Sequence, residues 1–140
     1  MGLSYLLDTN ILSEPAKSHP NQNVLHKLNQ YSGKYCTAVT VWHELHYGVE
    51  RMTDSKRKES LFAYIKALEH AGLVILPYEK IAGEWLAQER GRLSKQGVTT
   101  PFAYGEIAAI AFTNQLTLVT RNVDDFANYK GLIIQNWFTA

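Results

Sequence analysis

Five short apolar runs, spaced along a chain of 140 residues, constrain the fold more than any other feature of the sequence. The runs are Tyr5–Leu7, Tyr35–Val39, Leu73–Leu76, Leu116–Val119 and Leu132–Ile134. Each is short and apolar at nearly every position, which is typical of strands buried on both faces of a parallel sheet. Strands that alternate with helices pair in parallel through right-handed crossovers. The sequence therefore predicts an α/β fold, a three-layer α/β/α sandwich around a central, mostly parallel sheet.

Helix signals lie between the apolar runs. Thr40 is expected to cap the helix that follows the second run, and Ser55 to cap a helix that is closed by Gly72. Two more helices are predicted at residues 79–96 and 103–114. No repeat, low-complexity tract or linker interrupts the pattern.

The composition narrows the class of protein. Residues 1–140 suit one domain, and 46% hydrophobic with 19% charged residues favours a folded protein over a disordered one. A net charge of +1 provides no overall field to attract nucleic acid, so a nucleic-acid binder would need a local basic patch. Cys36 stands alone, which excludes an intramolecular disulfide, and no run approaches the length of a membrane span. The expected location is the cytoplasm.

Acidic residues follow three of the five predicted strands. Asp8 comes directly after the first run, Glu44 lies one turn into the helix after the second, and Asp124 and Asp125 follow the fourth. Ligand sites of open parallel sheets lie beyond the carboxyl ends of the strands, where these acids would converge. Each acid alone also suits a helix cap, a helix N-terminus or a solvated turn.

The acids favour a particular chemistry. Converging carboxylates without a cysteine or histidine frame suit a hard cation such as Mg²⁺ or Mn²⁺. His43 and His46 flank Glu44, but they are not four residues apart and do not make the H-E-x-x-H zinc pattern. A divalent cation can activate water and stabilise charge on a phosphodiester. The pattern therefore indicates metal-assisted phosphodiester hydrolysis.

Four segments, in this order, resemble the motifs of the VapC-type toxins, ribonucleases of the PIN-domain family. They are Leu6–Ile11, Thr40–Gly48, Pro101–Ala109, and Leu116–Asn122 followed by Asp125 and Phe126. The resemblance implies a PIN fold, Mg²⁺- or Mn²⁺-dependent endoribonuclease activity, neutralisation by a small VapB-type antitoxin, and a homodimer. It also implies that Asp8, Glu44 and Asp125 are the catalytic and metal-binding acids. Asp124 takes the last place if the register of the fourth motif slips by one residue.

The third motif departs from the family pattern. The family has an aspartate three residues before its Ile-Ala pair, and this chain has Tyr104 there. A phenol with an ordinary pKa of about 10 is not an anionic ligand at neutral pH, and it is bulkier than a carboxylate. Glu106 lies two residues further on, roughly 200° around a helix, and is expected to face away. We therefore predict impaired metal binding and weak or absent cleavage.

Other residues are candidates for binding partners. Possible phosphate contacts are Arg90, Arg92, Lys95, Arg121 and the run Lys56–Lys58. Arg121 stands out because it adjoins the fourth motif, although an ion pair with Asp124 or Asp125 is an equal alternative. Aromatic residues expected in the core or at an antitoxin groove are Tyr47, Tyr64, Trp85, Trp137 and Phe138.

Three other classes of protein compete with a ribonuclease. A non-catalytic PIN domain that binds RNA or its antitoxin is favoured by Tyr104. A phospho-accepting receiver domain pairs two acids after its first strand, whereas Asp8 stands alone there. A phosphatase of the Asp-x-Asp type needs a second aspartate where this chain has Asn10.

Overall fold

In the described part of the chain, the fold is an α/β arrangement around a five-stranded sheet in which every strand pairing is parallel. The computed structural model describes residues 2–139. The strands are β1 (Tyr5–Leu7), β2 (Tyr35–Ala38), β3 (Ile75–Leu76), β4 (Thr117–Val119) and β5 (Ile134–Gln135). Their order across the sheet is β3-β2-β1-β4-β5. The α/β class and the parallel sheet predicted from the apolar runs are confirmed.

The central strand β1 is buried between β2 and β4. Its Leu6 lies beside Cys36 of β2 and Leu118 of β4, and all three side chains are fully buried. These strands are apolar on both faces because helices cover both sides of a parallel sheet.

Within residues 2–139, seven helices connect the strands. They are α1 (Thr9–Leu12), α2 (Gln22–Gln30), α3 (Val39–Glu50), α4 (Lys56–His70), α5 (Lys80–Lys95), α6 (Phe102–Thr113) and α7 (Val123–Phe126). A 3-10 turn, Glu14–Ala16, follows α1. None of the helices within residues 2–139 combines the length and apolar character of a bilayer span.

Some of the predicted helix ends are confirmed and one is wrong. Ser55 caps α4, because its hydroxyl accepts from the Lys58 backbone N–H at 3.1 Å, and Gly72 follows the helix with φ of 86°. Thr40 is not a cap. The helix already begins at Val39, which was predicted to end the strand, and Thr40 instead donates to Glu106 Oε1 at 3.0 Å.

The strand order creates a switch point between β1 and β4. The chain leaves β1 toward β2 on one side of the sheet and leaves β4 toward β5 on the other. In open parallel sheets, the crevice at such a point is where ligands bind, beyond the carboxyl ends of the two strands. The residues that follow β1 and β4 are therefore the first place to look for a site.

Candidate active site

Asp8 stands at the carboxyl end of β1 and is also the N-cap of α1. Its backbone N–H donates to Val119 O of β4 at 2.9 Å, so the switch-point geometry fixes its main chain. Its Oδ1 accepts from the Thr9 backbone N–H at 2.8 Å. The capping and site interpretations of Asp8 are thus both compatible with its position.

A hydrogen-bond network holds the second oxygen of Asp8. The Thr120 hydroxyl donates to Asp8 Oδ2 at 2.8 Å, and Asn10 Nδ2 donates to the same oxygen at 3.3 Å. The Thr120 hydroxyl oxygen also accepts from the Asn122 backbone N–H at 3.0 Å. Asn10 Oδ1 accepts from the Arg121 backbone N–H at 2.9 Å. The network fixes the ends of β1 and β4 to each other around one buried carboxyl group.

Negative charge at this edge is not neutralised by the protein. Burial raises the pKa of Asp8, hydrogen bonds from Thr120, Thr9 and Asn10 offset part of the rise, and the charge of Asp125 adds to it. Within residues 2–139, no lysine, arginine or histidine forms an ion pair with Asp8, Glu44 or Asp125. An acidic edge without a protein counter-ion attracts cations.

Tyr104 experiences the charge of all three acids. Partial burial raises the pKa of its phenol, and the charges of Asp125, Asp8 and Glu44 raise it further. Its ring packs against Phe126, with centroids 5.2 Å apart. The phenol of α6 is therefore close enough for the charges of the carboxylates that follow β1, β2 and β4 to act on it.

The three acids supply the type of oxygen ligand that a hard cation prefers, but they do not lie close enough together to surround one. Asp8, Glu44 and Asp125 supply carboxylate oxygens, which Mg²⁺ and Mn²⁺ prefer. Glu44 and Asp125 are exposed, and no three His, Cys, Asp or Glu side chains in the described part of the chain come close enough to hold a metal ion. A fourth acid at position 104 would add a donor among these three, where a neutral phenol stands.

Glu106 does not join this cluster. Its carboxylate accepts from Thr40 at the start of α3, and its charge contributes, after burial, to the raised pKa of Tyr78. It is absent from the groups whose charges act on Tyr104. Glu106 therefore lies on another side of α6, as the 200° separation predicts.

The two histidines near Glu44 have packing roles. His46 Nδ1 lies 3.0 Å from Trp42 O, and its ring packs edge-on against Trp42 and Phe62. His43 stacks on Tyr47.

Most of the candidate phosphate-binding cations have protein partners. Arg92 is bound by Glu89 and by Asn128 O, each at 2.8 Å. The Arg90 guanidinium lies over the ring of Phe102. In the basic run, Lys58 contacts Asp54 at 3.5 Å and Arg57 donates to Ala16 O at 3.3 Å.

Arg121, like Arg90, has an aromatic partner. The alternative of an ion pair with Asp124 or Asp125 is not seen: no carboxylate in the described chain lies within salt-bridge distance of Arg121. Instead, its guanidinium carbon lies 4.6 Å from the centroid of the Phe138 ring.

Two concave regions differ in their relation to the acids. A cavity of about 620 Å³ lies at the amino-terminal edge of β4 and β5, lined by Trp85, Phe112 and Ile133, and none of the three acids reaches it. A smaller groove of about 270 Å³ runs between α1, α3 and α4 and includes Glu44. Charge and strand ends, rather than cavity volume, therefore locate the candidate site.

Comparisons with known proteins agree with this geometry. The family model "PIN domain" matches residues 5–132. The chain is 33% identical over 96% of its length to Ribonuclease VapC2 of Haemophilus influenzae, covering 98% of that protein. It is 32% identical over 94% of its length to Toxin FitB of Neisseria gonorrhoeae, covering 97% of that protein.

A solved structure extends the likeness to the whole fold. DNA-bound VapBC from Salmonella typhimurium contains a chain that superposes with a TM-score of 0.84 at 27% identity, over 96% of this chain and 98% of that one. With four motifs in register, an all-parallel sheet and near-complete alignments to Ribonuclease VapC2 and Toxin FitB, this chain belongs to the PIN-domain family.

Proposed function

We propose that residues 1–140 form a single PIN domain and are the endoribonuclease toxin of a type II toxin–antitoxin pair, with cleavage impaired by Tyr104. In this proposal Asp8, Glu44 and Asp125 hold Mg²⁺ or Mn²⁺ and are the catalytic acids. The observation that carries it is that the charges of those three carboxylates all raise the pKa of the Tyr104 phenol, whose ring packs on Phe126 beside Asp125.

The residues of the chain have distinct roles in this proposal. A bound divalent cation would supply Lewis-acid stabilisation of the phosphodiester and an activated water. Asp8 is the most rigid of the acids, because Thr9, Asn10 and Thr120 fix both of its oxygens. Tyr104 withholds an anionic donor and fills space beside the other acids, so we expect weak cation binding and slow hydrolysis.

The partners follow from the relatives. Proteins named ribonucleases align over nearly the whole chain, which supports RNA as the substrate and the cytoplasm as the location. A VapBC complex among the similar structures supports a small VapB-type antitoxin as a partner, together with a homodimer of this chain. The groove beside Glu44 offers the antitoxin an apolar lining that includes Leu45, Leu61 and Ile65.

The test compares this chain with Tyr104→Asp and Tyr104→Phe, each purified without antitoxin. Mg²⁺- and Mn²⁺-dependent cleavage of a mixed RNA panel is followed on denaturing gels. We expect Tyr104→Asp to cleave at least about tenfold faster than the other two, because only it restores a fourth carboxylate, and EDTA to stop the reaction. Equal rates for all three would remove position 104 from the site.

A second candidate function is favoured by the same residue. A PIN domain without cleavage could still bind RNA or an antitoxin, and Tyr104 is the feature that favours it. If Tyr104→Asp cleaves no RNA while this chain binds RNA or forms an antitoxin complex, the non-catalytic function becomes the better account.

A further inference from the structure

The main chain of Arg121 is fixed against the network that holds Asp8. Its backbone N–H donates to Asn10 Oδ1 at 2.9 Å. Its two neighbours are joined to each other, since the Asn122 N–H donates to the Thr120 hydroxyl oxygen at 3.0 Å. Arg121 therefore leaves the sheet in a defined direction, immediately beside the proposed catalytic acids.

The Arg121 side chain is exposed and lies over an aromatic ring. Its guanidinium carbon is 4.6 Å from the Phe138 ring centroid, a distance at which the positive charge is attracted by the ring. Its guanidinium donates no hydrogen bond to the described protein. A planar guanidinium with one face on a ring keeps its N–H donors at the edge, which is the geometry that binds phosphate in a bidentate manner.

Phe138 is itself held in place. Its N–H donates to Asn136 Oδ1 at 2.9 Å, and its carbonyl oxygen accepts from Asn23 Nδ2 at 3.1 Å and from Asn21 Nδ2 at 3.4 Å. The segment after β5 is thus fixed to the start of α2. The main chain that carries the ring is therefore held in place beside Arg121.

A second cation, Lys17, acts on the same buried carboxylate as Arg121. Lys17 forms an ion pair with Glu14 at 2.9 Å, and the Glu14 side chain is only 4% exposed. Burial raises the pKa of Glu14, but Lys17, the Asn21 N–H and the charge of Arg121 together lower it below its ordinary value. One buried carboxylate is therefore influenced by two cations, and only Lys17 forms an ion pair with it.

We propose that Arg121, supported by Phe138 and accompanied by Lys17, binds a phosphate of the RNA strand next to the phosphate that is cleaved. The inference rests on the proposed ribonuclease function and adds the residues that place the substrate. The acids alone repel a polyanion, so a strand needs a cationic contact near them to approach. Arg121 is the exposed cation that is fixed to the Asp8 network itself.

The test measures binding of a fluorescent single-stranded RNA by anisotropy in EDTA, across a series of salt concentrations. We expect Arg121→Gln to weaken binding about tenfold and to reduce the slope of log affinity against log salt by about 0.7. Arg121→Lys should keep the slope while recovering part of the affinity, since its charge remains. Phe138→Leu should weaken binding with an unchanged slope, the signature of a residue that positions a cation.

The matched control is Arg51→Gln. Arg51 is also an exposed arginine over an aromatic ring, Tyr47, at 5.8 Å, but it follows the far end of α3. Three results would each overturn the inference. Arg121→Gln could bind RNA as tightly as the unsubstituted chain, Arg121→Gln and Arg51→Gln could lose affinity equally, or the unsubstituted chain could fail to bind RNA. Because EDTA removes metal chemistry, failure of Tyr104→Asp to cleave would leave this result intact, and the reverse also holds.

Discussion

Asp8 makes two sets of contacts, which match the two interpretations that the sequence leaves open. One oxygen caps α1 through Thr9, and the other receives Thr120 and Asn10. These hydrogen bonds favour the charged carboxylate, yet burial outweighs them and its pKa rises. A cap exposed to water would carry no such cost. The raised pKa therefore indicates that Asp8 is kept buried and charged at the expense of stability, as residues of functional sites often are.

The stability of Asp8→Asn tests this cost. Because the pKa of Asp8 is higher in the folded chain than its ordinary value of 3.8, its charge destabilises the fold at pH values above the folded-state pKa. Asparagine caps helices as well as aspartate does. We expect Asp8→Asn to be more stable at pH 7 in EDTA by on the order of 1 kcal/mol.

The pH dependence distinguishes charge from packing. The cost of the Asp8 charge disappears as the pH falls through the folded-state pKa toward 3.8, so the advantage of Asp8→Asn should shrink over that window. Urea unfolding of both proteins at pH 7 and near pH 4 measures the difference. If Asp8→Asn were instead less stable than the unsubstituted chain by the same amount at both pH values, the hydrogen bonds to Asp8 Oδ2 would matter more than its charge.

The sequence predicts where individual side chains lie along the fold better than it predicts their hydrogen-bond partners. Asp8 and Tyr104 could be placed by strand ends and motif spacing, because those depend on local order along the chain. The partner of Thr40 could not be found this way. Its hydroxyl reaches Glu106, 66 residues away, and a local capping signal cannot reveal such a contact.

At the scale of elements, α6 reaches the site because α5 lets it approach closely. Gly105 follows Tyr104 on the buried face of α6, and a Cβ atom there would lie 2.7 Å from Leu86 Cδ1 of α5 and 3.2 Å from the Tyr129 hydroxyl. Leu86 is only 1% exposed and has little room to move. The absence of a side chain at 105 therefore sets the distance between the two helices and, with it, the depth of position 104.

Substitution of Gly105 tests this close approach. We expect Gly105→Ala to lower the free energy of unfolding by about 1–3 kcal/mol, because the added methyl group overpacks a buried contact. The control is Gly91→Ala in α5, where an added Cβ meets nothing within 4 Å. That change should raise stability by up to about 1 kcal/mol through helix propensity alone. Urea midpoints that are equal for the two variants would show that α5 and α6 are not tightly packed at Gly105.

At the scale of the whole molecule, the sequence predicts the parallel sheet. It does not predict which distant residues the segment after β5 contacts. Buried strands can be recognised in the sequence as apolar runs, and the intervening helices indicate that neighbouring strands pair in parallel. The C-terminal segment carries no such pattern. Trp137 packs edge-on against Tyr5 and stacks on Tyr31, and Phe138 supports Arg121, contacts made between residues far apart in sequence. Only the folded chain brings these residues together.

Metal binding by the whole chain is linked to its thermal stability, because a ligand that binds only the folded state stabilises it. At a cation concentration ten times the Kd, the gain is ~1.4 kcal/mol. For a domain of this size the midpoint of thermal unfolding rises by roughly 5 °C. We expect Mn²⁺ or Mg²⁺ to produce such a shift in Tyr104→Asp and little shift in the unsubstituted chain.

Two controls separate site binding from general effects of divalent salts. Tyr104→Phe removes the hydroxyl without adding a charge and should respond like the unsubstituted chain. The double variant Asp8→Asn, Tyr104→Asp removes the acid at the end of β1 and should lose the shift. If the unsubstituted chain is stabilised as much as Tyr104→Asp, three carboxylates already suffice, and the impaired step would have to be sought in RNA positioning beside the phenol rather than in cation binding.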